Sequence, residues 1–167
     1  MMKKHFPIFL SLVLMVFLAC QPQAGDQTSS APEAAATPPP KAKPLGLQPP
    51  YPIADSSDYQ EVQGIKIYVV EKGNGAVPKP GSNVIINYRG TLLSDGSQFD
   101  SSFDKDGVVD FPLTNLIQGW QIGLTQVPTG SKVKLIIPPE LAYGPADRPG
   151  IPGNSTLVFD IDLISTY

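Results

Sequence analysis

The chain's only histidine, His5, and its only cysteine, Cys20, both stand within its first twenty residues, and that placement limits the chemistry open to the rest. Without an imidazole or a free thiol, a triad that activates serine, cysteine or threonine through histidine has no base. Zinc and copper lose their usual ligands as well. No phosphate-cradling G-x-x-x-x-G-K-[ST] and no dinucleotide G-x-G-x-x-G occurs, so neither a metal nor a cofactor is expected. Two carboxylate arrangements remain. Asp104, Asp106 and Gly107 echo the middle of a calcium loop, yet its first position would be Ser102 and its twelfth Leu113, which supplies no bidentate ligand. A pair of acids acting on a glycosidic bond stays open, because such acids come from anywhere in a chain, and nothing favours a particular pair. What stands out instead is PPELAYGPADRPGIPG, residues 138–153. Its prolines fix backbone angles and its glycines permit turns that other residues resist. A loop so restricted is suited to shaping something.

The elements that position these residues follow from composition. MMKKHFPIFLSLVLMVFLAC has a basic start, an apolar run and a small residue before Cys20, the pattern of a secretory signal. The apolar run is shorter than the ~20 residues a membrane span needs. Phe17-Leu18-Ala19-Cys20 resembles a bacterial lipobox, with Phe17 where leucine is usual. On that reading residues 1–19 are removed and Cys20 carries lipid, anchoring the protein to a membrane by lipid alone. Gln21, in place of aspartate, points to the outer membrane, facing the periplasm. Residues 20–59 are rich in proline, alanine, serine and threonine and read as a disordered tether. About 40 such residues reach on the order of 100 Å when extended. Without Lys3 and Lys4, 10 basic residues face 15 acidic ones, a net charge of −5, which argues against nucleic acid as a partner.

Residues 60–167 read as one domain. Ile65, Ile67 and Val69 mark a strand before a glycine turn, and Val84, Ile86 and Tyr88 mark a second. Short strands are expected at Gln98-Phe99-Asp100 and from Val108 to Phe111. The helical period covers residues 115–127, with Leu116, Trp120, Leu124 and Val127 on one face and Asn115 with Gln118 as a capping pair. Gly119 and Gly123 weaken that helix and suggest a close approach by other backbone. KVKLIIPPE and STLVFDIDLIS complete the set, the last alternating Leu157, Phe159, Ile161 and Leu163 against Asp160 and Asp162. The sum is an α+β domain, an antiparallel sheet covered on one side.

YRGTLLSDGSQFDSS, LIQGW, GSKVKLIIPPELAYG and TLVFDIDLI occur in this order, and together they resemble an FKBP-type peptidyl-prolyl isomerase domain over Gly64 to about Ile164. The resemblance implies a half-barrel of five or six antiparallel strands wrapped around one short helix. It implies a rotamase that assists the folding of envelope or secreted proteins, with proline-containing polypeptides as clients and macrocycles such as FK506 and rapamycin as possible ligands. Trp120 would floor an apolar pocket, with Tyr88, Phe99, Val109, Leu116, Ile117, Tyr143, Ile151 and Phe159 around it. Asp100 would be the lone acid at the rim and Tyr143 the hydroxyl that reaches the substrate carbonyl. The Ile117 N–H would bind a second carbonyl.

Without the resemblance, Trp120, Phe99, Leu116 and Phe159 are what a plain core would use, and Asp100 followed by two serines is a turn-former. Four departures from the family pattern bear on selectivity. Val109 stands where a pocket phenylalanine is common, the approach through Thr114 and Asn115 is two residues shorter, Arg148 replaces a frequent histidine, and the loop near Ile151 is one residue shorter. A smaller wall should loosen the grip on the residue before proline, with Leu or Phe still expected there. Arg148 reads as a solvated loop charge. The competing readings are a proline-peptide binding module or holdase chaperone with little catalysis, and a lipoprotein that merely displays a domain. No long helix precedes the domain in sequence, so a monomer is expected.

Overall fold

The computed structural model describes residues 49–52, 55–105 and 107–167. Residues 1–48, which hold the expected signal peptide, Cys20 and most of the expected tether, lie outside the described residues, as do Ile53, Ala54 and Asp106. Among the described residues there are seven strands and one α-helix: β1 Gln60–Val62, β2 Ile65–Glu71, β3 Asn83–Leu92, β4 Gln98–Ser101, β5 Val109–Pro112, α1 Gln118–Leu124, β6 Ser131–Ile137 and β7 Leu157–Thr166. They form one antiparallel sheet in the order β1-β2-β6-β7-β3-β4, with β5 also paired to β3. The α+β class and the antiparallel sheet around a short helix hold, with seven strands in place of five or six. The extra strand is β1, turned onto β2 by Gln63 and Gly64 at φ 47 and 86, the two positive angles of a tight hairpin turn.

Alternation along the strands puts one set of side chains under the helix. Leu157, Phe159, Ile161 and Leu163 of β7 are all at most 3% exposed, and Val133 and Leu135 of β6 join Ile65, Ile67, Val84 and Ile86 in the same core. Val69 departs from the expected inward set. It is 37% exposed, next to an irregularity in the β2–β6 pairing.

The helix starts at Gln118 rather than Asn115. Residues Leu113–Asn115 close as a 3-10 turn, after which Leu116 and Ile117 are extended at ψ 160 and 150. The expected Asn115–Gln118 capping pair is not made; Ile117 occupies the cap position with no side-chain cap bond. The two helix glycines do mark a close approach, but to side chains. A Cβ on Gly119 would come 2.4 Å from Ile137 Cγ2, and one on Gly123 would come 2.8 Å from Leu135 Cδ1. Glycine costs a helix about 1 kcal/mol relative to alanine, and here it lets α1 settle onto β6.

The outer face of the sheet is not simply solvated. The β6–β7 register sets Lys132 opposite Asp162 and Lys134 opposite Asp160. All four are buried, with Nζ–Oδ distances of 3.1 and 2.5 Å respectively. Tyr51, inside the segment read as tether, is 2% exposed against this cluster. Its hydroxyl donates to Asp162 and its N–H donates to Asp160 Oδ2 at 3.3 Å, while Lys132 Nζ lies 5.7 Å from its ring centre.

Candidate active site: an aromatic pocket beside the helix

The far edge of β3 is divided between two short strands. Residues 83–86 pair with β5 and residues 89–91 with β4. Ser102 spans the gap between them. Its N–H donates to the Tyr88 carbonyl and its Oγ accepts from the Tyr88 N–H, both at 2.9 Å. The Tyr88 side chain enters a cavity of about 220 Å³ at this break in the sheet. Ligand clefts generally run from about 300 to 1,000 Å³, so this one fits a single small ring better than a large ligand.

Trp120, from the first turns of α1, is 4% exposed and lies under the cavity. Its ring meets Tyr88 edge-on at 5.3 Å between centroids and Phe159 of β7 at 5.0 Å; Phe159 in turn meets Phe99 of β4 at 5.6 Å. Such edge-to-face packing holds rings rigidly. Gly90 makes it possible, since a Cβ there would come 2.5 Å from Phe99 and 2.9 Å from Phe159. Leu116 and Ile117 reach the cavity because they are extended before the helix. Tyr143 closes it from the stiff loop.

Of the residues expected in the site, Tyr88, Phe99, Asp100, Leu116, Ile117, Trp120, Tyr143 and Phe159 line this one cavity. Val109 and Ile151 do not. Val109 packs against the core, and Ile151, 7% exposed, borders an adjoining depression with Phe99, Asp100 and Tyr143. Two lining residues were absent from the expectation, Phe111 and Asn115. Phe111 follows Val109 by two positions on β5 and so shares its face; that alternation was the signal available in sequence.

The polar groups divide into engaged and free. Asp100 accepts from the Tyr88 hydroxyl, from the Ser101 N–H at 2.9 Å and from Lys105 Nζ at 2.6 Å. Burial pushes its carboxyl up, but the bonds from Lys105 and Tyr88 outweigh that and hold it below its ordinary 3.8. Burial, with the neighbouring carboxylate, lifts the Tyr88 phenol well above its ordinary value, so Tyr88 stays a donor. The Tyr143 hydroxyl and the Ile117 N–H have no partner among the described residues. The buried Trp120 indole N–H has none either. The arrangement offers two free hydrogen-bond donors above an aromatic floor, with no nucleophile beside a base. It can bind an apolar ring flanked by carbonyls.

The family profile described as FKBP-type peptidyl-prolyl cis-trans isomerase matches residues 75–164. The FKBP-type isomerase FkpA of Escherichia coli K12 is 50% identical over 101 residues, 60% of this chain and 37% of that protein. A peptidyl-prolyl cis-trans isomerase of Schizosaccharomyces pombe is 42% identical over 106 residues, 61% of this chain and 94% of that one. The crystal structure of Escherichia coli FkpA superposes with a TM-score of 0.63 at 46% identity, covering 66% of this chain and 52% of that chain. The chain thus spans little more than a third of the length of the FkpA sequence it matches.

Proposed function

Because the chain belongs to the FKBP-type peptidyl-prolyl cis-trans isomerases, we propose that the Trp120 cavity binds the proline ring of a polypeptide and speeds rotation about the preceding peptide bond. The observation that carries this reading is the pair of unengaged donors, the Tyr143 hydroxyl and the Ile117 N–H, beside a cavity walled by Tyr88, Phe99 and Phe159. Tyr143 donates to the carbonyl of the residue before proline, and Ile117 to the carbonyl of proline itself.

Rotation about a peptide bond is resisted by ~18–20 kcal/mol of barrier, which resonance supplies, and X-Pro bonds interconvert unaided over tens to hundreds of seconds. The twisted amide has lost that resonance, and its carbonyl is less polar than in the planar ground state. A dry aromatic pocket therefore favours the twisted form over the planar one. Each ~1.4 kcal/mol of that preference is a tenfold gain in rate. Asp100 takes no proton in this scheme. Its carboxylate fixes the Tyr88 ring through the phenol and places negative charge at the rim.

The clients are proline-containing polypeptides of a bacterial envelope, and macrocycles of the FK506 and rapamycin type compete for the same cavity. The protein hangs from the outer membrane by lipid on Cys20 and works in the periplasm as a monomer. Sequence supports the anchor, and Cys20→Ser should move the protein from the membrane to the soluble fraction; continued sedimentation with membranes would contradict it. For the pocket, Tyr143→Phe should weaken binding of a Leu-Pro peptide, and with it kcat/KM, about three- to tenfold, the worth of one hydrogen bond, without altering the melting temperature. Unchanged kcat/KM in both Tyr143→Phe and a folded Trp120→Ala would put the activity elsewhere.

A further inference from the structure

The pocket continues past its rim. Phe99, Asp100 and Tyr143 also line a second depression, which adds Arg148 and Ile151. Arg148 and Ile151 in turn border an outer groove that reaches Asp95 and Asp147. Arg148 is the one cation among the described residues that line this track.

A tight turn sets where this arginine leaves the backbone. The Arg148 N–H donates to the Ile151 carbonyl at 2.8 Å and the Ile151 N–H donates to the Arg148 carbonyl at 2.9 Å. Between them Pro149 and Gly150, the latter at φ 75, make the Pro-Gly pair that a type II turn requires. The guanidinium carbon lies 5.2 Å from the Tyr143 ring centre, where an aromatic face attracts a cation. It forms no ion pair or side-chain hydrogen bond among the described residues. The acids nearby accept bonds from other donors, and of them Asp100 alone is paired with a cation, Lys105. Asp95 accepts from the Ser97 N–H and hydroxyl, Asp147 from the Gly153 N–H, and Asp100 from Tyr88, Ser101 and Lys105. An exposed arginine with no ion pair of its own thus stands beside the residue that holds the substrate carbonyl, with the Asp95 and Asp147 carboxyl groups farther along the same groove.

We propose that Arg148 makes the site favour an acidic over a basic side chain immediately before the proline. The inference rests on the isomerase reading: with Tyr143 on the carbonyl before proline and Ile117 on the one after, the preceding residue lies on the Arg148 side. An exposed ion pair of this kind changes affinity by up to about fivefold.

The test titrates the full-length protein with Ala-Glu-Pro-Ala, Ala-Lys-Pro-Ala and Ala-Leu-Pro-Ala, following the fluorescence of its only tryptophan, and measures catalysed exchange of each peptide by NMR. At low salt the Glu peptide should bind about three- to fivefold more tightly than the Lys peptide, and high salt should erase the difference. The ratio should fall to one in Arg148→Ala and reverse in Arg148→Glu. An equal Glu:Lys ratio in the wild type and in Arg148→Ala would overturn the inference. If the ratio responds but the Leu peptide exchanges no faster than in buffer, the isomerase reading fails while selection by Arg148 stands. If none of the peptides binds, both fail.

Discussion

On the pocket side of the sheet Tyr88 donates its hydroxyl to Asp100; on the outer side Tyr51 donates its hydroxyl to Asp162. The two bonds are chemically alike, and their surroundings differ. The Asp100 side chain is 37% exposed at the mouth of a cavity, and its Lys105 partner is 69% exposed. The Asp162 and Lys132 side chains are 9% and 7% exposed beneath Tyr51. The same pair of residue types thus orients an aromatic wall where the sheet opens and fastens an incoming chain where it is closed. Substitutions on the pocket side should change turnover more than stability, and substitutions on the outer side should do the reverse.

The sharpest way to break this contrast is Asp160→Ala. It leaves Lys134 buried without a partner, and removing one half of a buried pair costs about 3–5 kcal/mol. Urea unfolding should register that loss, while turnover per folded molecule stays at the wild-type level. Adding Lys134→Met should recover most of the stability, since replacing a whole buried pair with apolar side chains is commonly neutral. A stability loss below ~1 kcal/mol for the single variant would mean that the outer face is wetter than its packing implies.

A smaller effect separates the two aspartates by pH. Asp100 is held below 3.8 in the fold, so its contribution to stability is present above that value and disappears as pH falls through the lower, folded value. Burial lifts Asp162 to about 6. Between 3.8 and about 6 the folded chain then binds more protons at Asp162 than the unfolded chain does, so this group's stabilisation is lost as pH rises through that window. Carboxyl carbon NMR should find the two midpoints on opposite sides of 3.8. An Asp162 midpoint below 3.8 would mean that Lys132 and Tyr51 outweigh burial and that the two faces are electrostatically alike.

Much of this was legible in the residues, and what was not has physical causes. The long strands announce themselves by alternation, as Leu157, Phe159, Ile161 and Leu163 do. Gln60-Glu61-Val62 carries no such pattern, and becomes a strand only because Gln63 and Gly64 fold it back onto β2. Leu116 and Ile117 fit the helical period yet are extended, because the preceding 3-10 turn delivers them to the cavity. Eight of the ten expected pocket residues meet in one place; they were named through a family resemblance rather than by periodicity, which cannot tell a pocket wall from a core. Phe111 was hidden for a related reason, since alternation gives its face but not how far along β5 the cavity extends. Asp160 and Asp162 look like solvent-facing positions until the β6–β7 register brings the two lysines opposite them. Tyr51, set among prolines, offers no local pattern at all.

If the Trp120 cavity is where X-Pro bonds rotate, the protein must speed that rotation in a free peptide. Exchange NMR on a short Leu-Pro peptide, with and without a catalytic quantity of the protein, tests it most directly. Cis/trans exchange that quickens with the protein and returns to the uncatalysed rate when a macrocycle of the FK506 type is added is the predicted result. Exchange that stays at the buffer rate in the presence of demonstrably folded protein would contradict the claim and leave a proline-binding module in its place.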